Sequence, residues 1–320
     1  MRIRTAALLA LTVSVAMALP ATAATKKTVK KTVKKTTTKA KAVTTAAPTT
    51  AAPAAVTPAA AKLPATAEKI KAKGKITIGV KFDVPFMGLQ NAVTNENTGF
   101  DTEIGKIVAK AIFGTDKGKV EWVEAISRNR EPFIQEGKVD LVISTYTIND
   151  ARKKLVDFAG PYVSAKQDIL IYKIDADTIK SVADLNGRKV CSVQGSTSLN
   201  NVRAQAPKAD VVAFNTYSEC VEALKDGRVQ AVTTDDLILI SFAKKFPAFQ
   251  LVGKPFTDEP YGIGLKRCDT EMRNWINDLI EKSVANGDYK KAWEADLSLG
   301  DAGLPLTVTP KVNRYTADGC

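Results

Sequence analysis

From Ala67 to about residue 298, short apolar runs alternate with amphipathic stretches, and this alternation most restricts the fold. KITIGV (75–80), KVEWVEA (119–125), VDLVIS (139–144), QDILIYK (167–173), RKVCSV (188–193), ADVVAF (209–214), VQAVTT (229–234) and YGIGLK (261–266) read as strands. Between and after them, GFDTEIGKIVAKAIFG (99–114), REPFIQEG (130–137), SVADLNG (181–187), SLNNVRAQA (198–206), TYSECVEALKDG (216–227), DDLILISFAKKF (235–246), TEMRNWINDLIEKSVANG (270–287) and YKKAWEADL (289–297) read as helices. In the first of these, apolar side chains recur at 104, 107, 108, 111 and 112, one face of a helix. Strands alternating with helices imply α/β layers, mostly parallel sheets and right-handed crossovers. Two such series fit in this stretch, which predicts two α/β lobes in place of one large sheet. We place the first lobe at residues 67–165, the second at 166–257, and a return to the first at 258–300, with a tail over 301–320.

The first 23 residues have the form of an export signal. Arg2 and Arg4 give a basic start, Ala6–Leu19 an apolar run too short to span a bilayer comfortably, and Ala21-Thr22-Ala23 a small-residue cleavage site. No cysteine sits at the cut, so no lipid anchor is indicated, and the chain is expected in the periplasm or the cell-wall space. Residues 24–66 consist mainly of Thr, Lys, Ala and Pro with KKTV repeating every four residues, a composition that cannot offset ordering entropy and is expected to be disordered. The two signal arginines and nine leader lysines account for eleven of the twelve net positive charges, leaving +1 for the folded part. A basic leader in an exported chain attracts anionic wall polymers or lipid headgroups through salt-sensitive contacts or serves as a solvated spacer; nucleic acid is not an expected partner.

An oxidising compartment permits disulfides, and the four cysteines allow three pairings. Cys191 lies in a predicted strand and Cys220 in a nearby predicted helix of the same lobe, which favours Cys191–Cys220 and, by elimination, Cys268–Cys320. No CxxC spacing and no histidine occur, so neither a metal nor a cofactor is expected.

Two strands share an unusual ending. VDLVISTYT and VQAVTTDDL each follow a short helix that ends in glycine, and each runs into hydroxyls and then charge. In open α/β sheets ligands sit beyond the carboxyl ends of strands. If the two lobes face each other, both strand ends line one cleft.

GVKFDVPFMG, GFDTEIGKIVAKAI, REPFIQEGKVDLVISTYTINDARKKLVDFAGPY, DLNGRKVCSVQGSTS, AVTTDD and KPFTDEPYGIGLK occur in that order. Together they resemble the extracellular solute-binding proteins of polar amino-acid ABC importers, bacterial family 3, particularly the glutamate-binding branch of actinobacteria. The resemblance covers roughly residues 68–298. It implies a two-lobed, type II periplasmic-binding-protein-like fold with a hinge and an interlobe ligand cleft, no chemical step, and an ABC transporter permease as partner to a monomer.

Carried over residue by residue, the resemblance implies that Arg152 grips an α-carboxylate through paired charge-assisted hydrogen bonds, with Thr147 donating a third. Thr145 would offer its carbonyl to the α-ammonium, and Asp235 from the other lobe would accept from the same group. Ser196 and Thr197 would cap a helix start and donate to the carboxylate. Either Asp235 or Asp236 is expected to cap the helix that follows, and we assign Asp235 to the ligand. Lys81 and Arg130 (with Arg128 nearby) favour a second carboxylate, and Phe82 is placed on the ligand stem. Glutamate is thus the expected ligand, ahead of glutamine, aspartate or asparagine. A dehydratase of cyclic acids on the same fold is the rival from another class. Closure is expected about Pro161–Gln167 and Phe256–Pro260.

Overall fold

A computed structural model describes residues 62–298, 306, 309–317 and 319–320. The export signal and almost all of the basic leader lie outside the described residues. In chain order the elements are α1 (Ala65–Lys73), β1 (Ile76–Val80), β2 (Asp83–Val84), β3 (Gly88–Gln90), β4 (Asn97–Thr98), α2 (Phe100–Phe113), β5 (Val120–Glu124), α3 (Arg130–Gln135), β6 (Leu141–Val142), α4 (Asp150–Lys153) and β7 (Asp157–Tyr172). There follow β8 (Lys189–Val193), α5 (Thr197–Gln205), β9 (Asp210–Phe214), α6 (Tyr217–Lys225), β10 (Ala231–Asp235), α7 (Asp236–Lys245), β11 (Phe249–Leu251), β12 (Thr257–Leu265), α8 (Thr270–Asn286) and α9 (Asp288–Trp293).

The predicted alternation is present, and the strands divide into two α/β lobes. They are nevertheless hydrogen-bonded into one nine-stranded sheet, in the order β5-β1-β6-β12-β7-β10-β8-β9 with β11 also on β7. The separate sheets expected from the sequence are joined because β7 is sixteen residues long and passes through both lobes. QDILIYK is therefore not a strand of its own but the second half of β7. β12 runs antiparallel to β7 from Thr257↔Gln167 to Leu265↔Asp157, with a register shift between Tyr261 and Ile263. The two strands are thus the covalent crossings between lobes. β1 pairs in parallel with β5 and β6 in the first lobe, and β8 pairs in parallel with β9 and β10 in the second.

The helices cover the sheet as their patterns require. α2 buries Ile104, Val108, Ala109 and Ile112, each large aliphatic contributing roughly 1.5–3 kcal/mol when fully removed from water. Gly105 on that face lets the Trp122 ring approach, since a Cβ there would lie 2.8 Å from the ring. Thr216 and Glu219 close a reciprocal capping box on α6, and Asp269 caps α8. Two expectations change: SVADLNG makes only a 3-10 turn, Val182–Leu185, and VDLVIS contributes only Leu141–Val142 to the ladder. A small sheet, β2-β3-β4, lies where no strand pairing was expected.

Both expected disulfides are present. Cys191–Cys220 fastens β8 to α6, and Cys268–Cys320 fastens the chain end to the turn before α8, with Cα–Cα distances of 5.5 and 5.3 Å. The tail runs along the first half of β7. The Asn313 N–H donates to Gly160 O at 2.7 Å, the Phe158 N–H donates to the Tyr315 hydroxyl at 2.9 Å, and buried Arg273 joins Asp157 to Tyr315 O.

Candidate functional site

Beyond β6, the strand ends named from sequence enter a region where buried polar groups from both lobes meet. Thr145 has a left-handed backbone, φ 42°, which costs a non-glycine residue energy that its surroundings must offset. Two contacts hold it: the Asp101 carboxylate accepts the Thr145 N–H at 2.9 Å, and Arg130 donates to Thr145 O at 2.9 Å. Asp101 also accepts the Tyr162 hydroxyl at 2.6 Å.

Arg130 is 2% exposed. It is not the surface residue that its sequence context allows. Its guanidinium donates to the carbonyls of Ser127, Ser144 and Thr145 and reaches Gly195 O at 3.5 Å across the lobes. Arg152 is also buried, because Asn149 caps the short α4 that carries it and turns its side chain inward. It pairs with Glu131 at 3.1 Å and donates to Thr147 O at 2.7 Å and to Gly195 O at 3.0 Å. The two guanidinium carbons lie 4.4 and 5.0 Å from the Tyr146 ring centroid, within cation–π range. Arg152 therefore has its Nε and one hydrogen on each terminal nitrogen engaged, leaving two of five donors for a ligand. Gly195 adopts φ 77°, and a Cβ on it would fall 2.6 Å from the Arg128 Cα. Only glycine permits this approach of the lobes. Arg128 itself is at the rim, donating to Gln194 at 3.1 Å.

Opposite, Asp235 ends β10 with its side chain 3% exposed. It accepts the Tyr261 hydroxyl at 2.6 Å and the Ser198 hydroxyl at 3.2 Å, and makes no side-chain cap to α7. Asp236 instead accepts the Leu237 and Lys166 N–H groups. Burial, reinforced by Glu259, pushes the Asp235 carboxyl up to about 7; burial likewise pushes Asp101 up to about 7. Lys81, at the end of β1, donates to the Ser127 hydroxyl at 3.1 Å and lies 5.3 Å from the Tyr217 ring. Burial and then Arg130 lower its pKa to about 8, against the opposing pull of Asp83, Asp101 and Asp235.

The remaining sequence candidates divide. Ser196 caps α5: its oxygen accepts the Leu199 N–H and its proton goes to Val193 O, so its hydroxyl has no second proton for a ligand. Thr147 and Thr197 both donate to Glu259 Oε2 at 2.7 Å. Phe82 is half-buried beside Lys81. Sequence reasoning passed over Asp101, Glu131 and Glu259. All three lie within quoted motifs, but carboxylates beside helix starts and turns are common enough that nothing distinguished them.

Residues 76–295 match the family described as bacterial extracellular solute-binding proteins, family 3. The chain belongs to this family. It is 42% identical over 230 residues to the ABC transporter glutamine-binding protein GlnH of Bacillus subtilis, covering 72% of this chain and 83% of that one. It is 40% identical over 228 residues to the glutamate-binding protein GluB of Corynebacterium glutamicum, covering 68% and 77%. Among solved structures, the solute receptor for L-cysteine of Neisseria gonorrhoeae superposes with a TM-score of 0.70 at 32% identity, covering 75% of this chain and 98% of that one. The matched residues end before the tail that Cys268–Cys320 fastens.

Proposed function

We propose that this solute-binding protein captures a polar amino acid, L-glutamate first, between its lobes and presents it to an ABC importer. The observation that carries the reading is the pairing of opposite polarities across the cleft. Buried Lys81, Arg130 and Arg152 stand on the first lobe, and buried Asp235 stands on the second. A zwitterion fits this arrangement, with Arg152 at its α-carboxylate, Asp235 at its ammonium, and Lys81 with Arg130 toward the side chain. The cationic surplus of the first lobe favours a side-chain carboxylate over an amide. The relatives named for glutamine and for glutamate support the ligand class and leave this choice to the charges. The lobes close by bending β7 and β12 near Pro161–Gln167 and Phe256–Pro260, and the ligand's preference for the closed form drives the shift.

A thermal-shift screen of the amino acids tests the reading, because a ligand bound only to the folded state raises the melting temperature. Failure of L-glutamate, L-glutamine and L-aspartate alike overturns it. Lys81→Met tests the side-chain assignment, since it removes a buried ammonium whose hydrogen bond to the Ser127 hydroxyl is not needed to hold the ligand's amino and α-carboxylate groups. Loss of one charge contact should weaken L-glutamate by about tenfold or more and leave L-glutamine within about threefold. An equal loss for both refutes the assignment.

A further inference from the structure

Glu259 stands on β12 in the crossing between lobes and is 1% exposed. Its Oε2 accepts the hydroxyls of Thr147 and Thr197, each at 2.7 Å. Its Oε1 accepts the Thr257 hydroxyl at 2.8 Å and the Asn201 amide at 3.2 Å. Asn201 is held in turn by Gln167 Oε1 at 2.9 Å. Four donors converge on one carboxylate, so both of its oxygens are hydrogen-bonded although it is buried. The donors come from different bodies: Thr147 from the first lobe, Thr197 and Asn201 from the start of α5 in the second, and Thr257 from the crossing itself.

A threonine hydroxyl carries one proton. Thr147 and Thr197 are two of the groups assigned to an amino acid's α-carboxylate, and both already donate to a carboxylate of the chain's own. They do so beside Arg152 and at the N-terminal turn of α5, where an anion is favoured. We propose that Glu259 is an internal stand-in for the ligand's α-carboxylate, latching the lobes together through Thr147 and Thr197 until an arriving amino acid takes those hydroxyls over. This rests on the amino-acid site proposed above. Glu259 is then a binding-site residue that acts by competition. It raises the population of a closed form that does not admit ligand and lowers apparent affinity by the fraction so held. It also weakens as it is displaced, so that closure over the ligand replaces one carboxylate by another with little loss of hydrogen bonding.

The test uses the mature chain, wild type and Glu259→Gln, which preserves size and removes the charge. Small-angle scattering without amino acid reads the latch directly: the variant should have a larger radius of gyration than wild type and contract to the wild-type value on adding L-glutamate. Stopped-flow tryptophan fluorescence should show L-glutamate associating about tenfold faster with the variant, the change expected from losing one charge-assisted hydrogen bond between the lobes. A ligand-free radius equal to wild type's overturns the proposal, as does slower association, because a residue that merely orients Thr147 and Thr197 for the ligand would weaken and slow binding when removed. Should Glu259→Gln fail to fold, Thr197→Val removes the second lobe's hydroxyl from the latch and carries the same expectation for the ligand-free radius, an unchanged radius again overturning the proposal. If wild type binds neither L-glutamate nor L-glutamine, the proposed function falls, while the ligand-free radii still decide the latch.

Discussion

Asp235→Asn isolates the ammonium end of the site with little disturbance of the fold. An asparagine at this position keeps an oxygen to accept the Tyr261 hydroxyl and turns its amide toward Ser198, whose hydroxyl oxygen can accept. The loss is then the negative charge opposite the ligand's ammonium. Two unit charges 4 Å apart interact by about 4 kcal/mol at an effective dielectric of about 20, and hydrogen bonds to charged groups are worth about 1.5–3 kcal/mol net. Taking about 2–3 kcal/mol, affinity for L-glutamate should fall by about 30- to 150-fold at pH 7.5. Titration calorimetry between pH 5.5 and 8.5 adds a second reading. The wild-type carboxyl, pushed up to about 7, is protonated below that pH and cannot receive an ammonium. Wild-type affinity should therefore fall toward about tenfold per unit below pH 7, and decline again above about 8 as Lys81 loses the proton that holds the side-chain carboxylate. Asp101, which also titrates near 7 and faces Lys81 and Arg130, remains in the variant. Any slope left below pH 7 in Asp235→Asn belongs to Asp101, and any slope above about 8 to Lys81. Affinity within about threefold of wild type, or an equally steep slope in the variant, refutes the ammonium assignment.

Arg152→Ala should abolish most binding, more than about 100-fold, and also destabilise the fold by about 3 kcal/mol because Glu131 loses its partner in a largely buried setting; parallel calorimetry and denaturant titration separate the two effects. Without amino acid, stability should pass through a minimum between pH 7 and 8. Asp101 and Asp235 hold extra protons in the folded state between 3.8 and about 7, so stability falls as pH rises through that window. Lys81 is lowered from 10.5 to about 8, so the unfolded chain binds the extra proton above 8 and stability recovers there; a melting temperature that rises from pH 5 to pH 7 contradicts the assignment. Replacing Cys268 and Cys320 by serine opens a closure of 52 residues, worth about 4 kcal/mol by chain entropy; melting should drop while amino-acid affinity stays within about threefold.

Much of the fold was legible because its signals are local. The 3.6-residue spacing on α2 and the strand–helix alternation name elements and layers without any knowledge of partners. Cys191 and Cys220 were legible for the same reason, as a strand and helix of one lobe. The single continuous sheet was not, since it depends on β7 keeping its extended course through Pro161–Gln167, where a proline and polar residues read as a break between two strands. The resemblance singles out Arg152 and Asp235, and both are buried where the lobes meet, but their hydrogen bonds were not legible. Arg152 was expected to hold its guanidinium open for a carboxylate, yet Glu131, Thr147 O and Gly195 O take three of its donors. Ser196 shows the opposite case, in which the cap reading available from any serine before a helix accounts for its whole hydroxyl.

Glu259 shows why a cleft of this kind resists residue-by-residue assignment. TDEPYG reads as a polar turn leading into a strand, and an acid there is by default a solvated surface residue. What buries it is the antiparallel pairing of two segments about ninety residues apart, Thr257–Tyr261 with Val163–Gln167, which brings the side chain under Thr147 from one lobe and Thr197 from the other. The same strand carries Tyr261, whose hydroxyl holds Asp235 at 2.6 Å. A single crossing strand therefore touches both the proposed carboxylate end and the proposed ammonium end of the site. Any bend of β12 that opens the lobes must break or lengthen contacts at both ends together. Opening is then coupled at both proposed poles of the cleft, because two alternate side chains of one strand, Glu259 and Tyr261, reach them, and a substitution at either should change the open–closed balance along with affinity.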